Sequence, residues 1–211
     1  MRLYQSVGPN PRVVTMYLAE KGVALERVFV DIIAGENRQS DYLAKNPAGG
    51  VPGLELDDGN VLTESLAICE YLEEVYPAPP LLGASAQDRA QTRSALRRVD
   101  QSVVVPMTNG FRSAEGLAMF ESRMLCVPAA ADGNKAYARE GLGALDAALA
   151  GRIWVCGNRF TMADILLYSF TDFGYQVGQP IPDGLDHLKA WFARVGARPS
   201  AAISANPQNG M

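Results

Sequence analysis

Histidine is almost missing from this chain. Among 211 residues only His187 occurs, just before a C-terminal helical stretch. Zinc sites of the His-Glu-x-x-His type and serine–histidine–aspartate triads draw on histidines that the chain does not supply, so no metal site is expected. Cysteine is nearly as scarce: Cys69, Cys126 and Cys156 stand far apart with no Cys-x-x-Cys pair, the pattern of reduced thiols and not of a disulfide frame. No Gly-x-x-x-x-Gly-Lys-Ser/Thr loop or Gly-x-Gly-x-x-Gly fingerprint is present, which removes the common nucleotide-binding routes. No apolar run approaches the ~18 residues of a membrane span. The opening Met1–Ser6 lacks the apolar stretch of a signal peptide, so a cytoplasmic protein is expected. Positive charge is also short: 19 Lys and Arg face 23 Asp and Glu, a net charge of −4. Nucleic acid and anionic membrane surfaces are therefore poor partners.

What is present is ordinary globular material, 48% hydrophobic and 20% charged, enough for one large domain or two small ones. The first ~80 residues alternate short strands and helices. Arg2–Ser6 reads as a strand and Gly8-Pro9-Asn10-Pro11 as a turn opening a helix that stops at Gly22. Leu25–Asp31 reads as a second strand, with a short helix near Tyr42 and Leu43. Val51–Leu56 and Val61–Thr63 flank an Asp-Gly turn, and Glu64–Val75 is helical. This βαβ-then-ββα order predicts a small mixed sheet with helices packed on it. Tyr76-Pro77-Ala78-Pro79-Pro80 cannot sit inside a helix and marks a boundary. Residues from about 86 to 200 show helical periodicity and no convincing strand pair. The expected organisation is an α/β domain over 1–77, a linker over 78–85 and an all-α domain over 86–211, with Ala201–Met211 as a mobile tail.

The strongest local signal is the stretch from Asn46 to Ile68. A proline at the start of a strand that must pair on both sides is awkward, and a cis Val51–Pro52 bond resolves it. The backbone of Val51 could then pair with an extended peptide as an added strand. Thr63-Glu64-Ser65 lies where the last strand becomes a helix, and free N–H groups there can receive a carboxylate. The Ser65 hydroxyl adds a donor, and Glu64 could face an α-amino group. Taken alone, Glu64 and Ser65 are ordinary first-turn residues. Together with Val51-Pro52 they describe a site for a small peptide bearing both charges.

The run N-P-x-G-x-V-P-x-L-E-x-D-D-G-x-x-L-x-E-S-x-A-I-x-x-Y-L, from Asn46 to Leu72, resembles glutathione transferases. A second match, Asn158-Arg159-Phe160-Thr161-Met162-Ala163-Asp164-Ile165, has the capping-box pattern that this family carries in the core helix of its second domain, with Phe160 and Ile165 placed as a hydrophobic staple. The opening Leu3–Val13 and Asp172-Phe173-Gly174 look most like a bacterial branch related to yeast-type transferases. The resemblance implies a thioredoxin-like N-terminal domain plus an all-α C-terminal domain, and a homodimer. It implies glutathione binding by Gly50, Val51, Pro52, Glu64 and Ser65. Arg38 matches a loop whose basic residue faces the glycyl carboxylate. Glutathione would be a co-substrate, with no cofactor, and a small apolar electrophile the second substrate.

A thiol of pKa near ~8.5 is only about 3% ionised at pH 7, and lowering it by about two units takes ~2.7 kcal/mol of preferential thiolate stabilisation. The chain departs here from the family's usual Tyr, Ser or Cys after the first strand. No cysteine precedes Cys69, which excludes a mixed disulfide from that loop, and Tyr4 reads as core. Ser6 could donate its hydroxyl, or could simply bond its own backbone as a turn serine. Asn10 could donate its amide, or could be the helix N-cap before Pro11 at the first helical position. Backbone N–H groups and a water, aided by Asn109, are a third arrangement. Met107, Asn109, Phe111 and Phe173 are candidates for an apolar second-substrate pocket, although core packing accounts for the apolar ones equally well. The readings carried forward are conjugation, glutathione-dependent peroxidase or disulfide reductase activity, and a non-catalytic glutathione-binding scaffold.

Overall fold

A computed structural model describes residues 1–207. The chain forms two compact units: Met1–Leu81 together with the described residues from Ala197 onward, and Leu82–Gly196.

The first unit is built on a four-stranded sheet: β1 (Arg2–Gln5), β2 (Glu26–Phe29), β3 (Gly53–Glu55) and β4 (Val61–Thr63), in the order β2-β1-β3-β4. β1 and β2 are parallel, joined by α1 (Pro9–Lys21), and the other neighbours are antiparallel. The pairing sets Leu3 opposite Leu54 and Leu54 opposite Leu62, so Leu3 and Leu54 disappear from solvent. α2 (Ser40–Leu43) precedes the β3–β4 hairpin and α3 (Ser65–Val75) follows it. Gly22 ends α1 in a left-handed conformation, φ 65°, where a residue without Cβ is unstrained. Under the sheet, Lys21 pairs with Glu73 and also donates to the carbonyls of Tyr76 (2.8 Å) and Pro79 (2.6 Å). The Tyr17 hydroxyl donates to the same Glu73, and burial pushes that phenol well above its ordinary pKa. A buried charge with full hydrogen bonding thus ties α1 to α3 and to the proline-rich stretch after it.

The second unit is helical throughout its regular structure, as the sequence predicts. It contains α4 (Ala86–Val99), α5 (Val105–Arg112), α6 (Leu117–Phe120), α7 (Ala131–Leu149), α8 (Met162–Gln176) and α9 (Asp186–Gly196). A π-helical stretch, Asp100–Val104, joins α4 to α5. The centre of this unit is α8, buried along most of its length. Thr161 is its N-cap, and Asp164 is fully buried. The Asp164 carboxylate accepts from the N–H of Thr161 (2.9 Å), the Thr161 hydroxyl (3.2 Å), the N–H of Val155 (2.9 Å) and the indole N–H of Trp191 on α9 (2.9 Å). Burial raises the Asp164 pKa, opposed by these donors. Phe160, expected to staple onto Ile165, has its ring edge-on to Trp154 at 5.0 Å. Among the described residues no helix is long and apolar enough to cross a membrane.

One expectation changes. Residues 197–207 are grouped with the first unit and do not extend the helical one. The predicted tail is largely α10 (Pro199–Ala205), with residues 208–211 outside the described residues. Small residues explain its seat: Ser200, Ala201 and Ser204 are buried, and α10 packs on α1. Arg198 grips Glu20 of α1 with two bonds of 2.7 Å, Ser200 adds a third of 2.5 Å, and Arg12 reaches the Ala201 carbonyl and Ser204 hydroxyl at 3.4 Å each. Buried Gln5 of β1 donates to the carbonyl of Pro207.

Two outcomes follow. Replacing Asp164 with Ala strands three buried N–H donors and should destabilise the protein by about 3–5 kcal/mol in denaturant unfolding; a loss under ~1 kcal/mol would show that the carboxylate is no anchor. Burial alone would raise the Glu20 carboxyl, but the bonds from Arg198 and Ser200 hold it below its ordinary value. Its stabilisation is therefore complete above the unfolded carboxylate pKa of ~4.5 and is lost as pH falls through the depressed folded value. Amide protection factors along α10 should fall on acidification, more weakly so in Glu20→Gln; an equal fall in both proteins would remove Glu20 as the cause.

Candidate functional site

The candidate residues of the first unit lie on the end of β1, two helix starts and one loop. Asn10 is not the N-cap of α1. Gly8 takes that place with φ 109°, Pro9 is the first helical residue and Asn10 the second. The reason is Gly8 itself, whose conformation a residue with Cβ rarely adopts. Released from capping, the Asn10 side-chain oxygen accepts the hydroxyl proton of Ser65, 3.2 Å away at the first position of α3. This bond links the N-termini of α1 and α3. It also directs the Ser65 proton to Asn10, leaving the asparagine NH₂ and the first-turn backbone N–H groups of α3 as the donors for a ligand. No side chain caps those N–H groups, so the positive end of the helix is unneutralised by the protein.

Glu64, the N-cap residue of α3, is exposed and has φ 68°, ψ 116°, the one positive φ outside glycine among the described residues. That conformation costs on the order of 1–3 kcal/mol for a residue with Cβ. Ser6, just past β1, is 2% exposed, and its hydroxyl has no hydrogen-bond partner. It does not bond its own backbone, which sets aside the turn-serine reading.

The loop before β3 is braced from behind. The Tyr42 hydroxyl and the Asn46 amide both donate to the Gly50 carbonyl, at 2.6 and 2.8 Å. The Asn37 amide donates to the Gly49 carbonyl at 2.7 Å, and the exposed Arg38 reaches the Ala48 carbonyl at 3.3 Å. Gly49 has φ 64°, and a Cβ there would lie 2.8 Å from the Asn37 carbonyl oxygen. The Val51–Pro52 bond is cis, as the strand-start proline predicts. Strand pairing begins at Gly53, so the backbone of Val51 stands outside the ladder. Tyr4 is core: its ring packs edge-on against Tyr42 at 5.8 Å, and its hydroxyl donates to Glu55 at 2.5 Å.

Asn37, Tyr42 and Asn46 are the residues that reading the sequence missed. Each supports the loop through a backbone carbonyl, a role with no residue-type signature; only the position of Asn46 beside Pro47 hinted at a turn. In the second unit, Phe111 is half-buried and meets Phe173 at 5.1 Å and Phe120 at 6.0 Å, both edge-on. Asn109 is exposed on α5. Met107 reaches no surface: it is fully buried, and its carbonyl accepts the Gln179 amide at 3.1 Å.

Comparison with known proteins agrees with this geometry. Residues 1–74 match the family profile described as glutathione S-transferase, N-terminal domain, and residues 128–199 match that of the C-terminal domain. The chain is 30% identical to glutathione S-transferase 2 of Saccharomyces cerevisiae, over 92% of this chain and 84% of that protein. It is 32% identical to glutathione S-transferase GstA of Escherichia coli O157:H7, over 97% and 98%. A crystal structure of a glutathione S-transferase domain-containing protein from Marinobacter aquaeolei VT8 superposes with a TM-score of 0.88 at 38% identity, covering 95% of this chain and 99% of that one.

The backbone at Glu64 makes its own prediction. Glu64→Gly should raise the urea midpoint, by about 1 kcal/mol of stability, because glycine adopts this conformation without strain, whereas Glu64→Ala should not. A lower midpoint for the glycine variant would show that the conformation stores no strain.

Proposed function

Because the chain belongs to the glutathione S-transferase family, we propose that it binds glutathione in its first unit and joins the thiolate to small apolar electrophiles. The observation that carries this reading is the Asn10–Ser65 bond, which brings two uncapped helix starts together beside the end of β1. The γ-glutamyl carboxylate is assigned to the backbone N–H groups opening α3, that of Ser65 included, and its ammonium group to Glu64. Val51 and Gly50 would pair with the peptide backbone, with Pro52 fixing the turn and Arg38 facing the glycyl carboxylate. Glutathione is a co-substrate in this reading and no cofactor takes part.

The chemistry then needs only a donor at the sulfur. The thiol gives its proton to water, the thiolate attacks an electrophilic carbon, a C–S bond forms and the leaving group departs with its electron pair. Ser6, with a buried hydroxyl unpaired in the protein, and Asn10, with its amide N–H groups facing outward from the Ser65 bond, are the donors proposed. With no cysteine before Cys69, the first unit holds no thiol at the strand end for disulfide exchange, which favours conjugation over disulfide reduction. Asn109, Phe111 and Phe173 are assigned to the electrophile. The homodimer is part of the same proposal.

The test is a titration of the glutathione thiolate by its ultraviolet absorbance, with and without stoichiometric protein. The bound thiol should ionise about two units below the free one, equivalent to ~2.7 kcal/mol. Ser6→Ala or Asn10→Ala should return about half of that shift, which identifies the donor. Glutathione that binds with an unchanged pKa would end the conjugation reading and leave a binding protein.

A further inference from the structure

Arg112 ends α5, a favourable place for a cation beside the negative end of a helix. Its side chain is half-buried. The guanidinium carbon lies 5.3 Å from the centre of the Phe120 ring, and Nε is buried with no hydrogen bond. Burial pulls its pKa down. A desolvated guanidinium normally has a carboxylate beside it, because five N–H donors and a charge are costly to leave unanswered. Among the described residues none is present. The nearest acid in sequence, Glu115, is paired with Lys135. No ion pair to Arg112 is formed among the described residues.

The surroundings are aromatic. Phe120 meets Phe111 edge-on, and Phe111 meets Phe173, so three rings run continuously from the guanidinium. The N–H of Val127 donates to the buried Ser113 hydroxyl at 3.2 Å, which fastens the apolar segment Met124–Val127 next to α5. Leu125 in that segment is 88% exposed.

We propose that Arg112, with Phe111, Phe120 and Phe173, is a subsite for an aromatic carboxylate, and that the electrophiles this chain favours are arenes carrying one carboxylate. One planar cation fits one planar anion through two parallel N–H···O bonds, and the adjoining rings accept an aromatic body edge-on. The binding claim stands on this cluster alone; its use in catalysis rests on the conjugation reading.

The experiment compares 4-chloro-3-nitrobenzoate with 4-chloro-3-nitrobenzamide, equal in shape and differing in charge, by calorimetry on the full chain. The benzoate should bind at least tenfold more tightly than the amide. Arg112→Met should remove that advantage while leaving the amide within twofold, and Arg112→Lys should keep part of it. Equal affinities for the two probes in the unmodified protein, or no binding of either, overturns the subsite whether or not the variants fold. Full benzoate affinity in a folded Arg112→Met protein does the same. Glutathione is titrated separately: if it fails to bind, the conjugation reading falls while the carboxylate measurement still decides the subsite. If both hold, Arg112→Met should lower kcat/KM about tenfold for the benzoate with the KM for glutathione unchanged.

Discussion

A helix begins with N–H groups that its own backbone cannot satisfy, and this protein depends on how that deficit is met in different places. At α8 it is met internally. Asp164 and Thr161 close the start of the helix, and the same carboxylate holds the strand-like turn at Val155 and the indole of Trp191. At α3 no side chain closes it, although Glu64 and Ser65 are both types that could. The first arrangement closes the helix start within the protein; the second leaves its first-turn N–H groups without a side-chain partner. The two helix starts contain similar residues, an acid and a hydroxyl, and differ in burial and backbone conformation.

That difference explains how much could be read from the sequence. The order of strands and helices followed from periodicity and from glycine and proline punctuation, and the proline within the Val51–Leu56 stretch pointed to a cis bond. The end of α3 at Val75 was legible because the three prolines that follow within Tyr76–Pro80 exclude a helix. The capping of α8 was legible because both partners lie three residues apart. Pro9 and Pro11 both suit a first helical position, and only the φ of Gly8, which composition does not show, decides between Asn10 as N-cap and Asn10 as the second helical residue. The bond from Ser65 to Asn10 spans 55 residues, and no local pattern encodes it. α10 was read as a tail because a short run of Ala and Ser has no strong periodicity of its own. Its helix is made by the surface of α1, a tertiary effect that overrides weak propensity.

The loop before β3 shows a division of labour. Gly49 and Gly50 are held through their carbonyl oxygens by side chains that precede them in the chain. Asn37, Tyr42 and Asn46 act through carbonyl oxygens, so a substitution there would move backbone without removing a ligand contact. Rigid support of a loop through its backbone is what preorganised recognition requires.

The seat of α10 on α1 has a consequence for biosynthesis. Glu20 is translated early, and its partner Arg198 follows 178 residues later. At ribosomal rates of about 5–20 residues per second, α1 waits on the order of ten seconds or more for the segment that covers it. Leu82–Gly196 is complete before then and free to fold as a unit, while the sheet-bearing unit remains open on one side. The half whose synthesis begins first is therefore also the half that receives its last segment at the end.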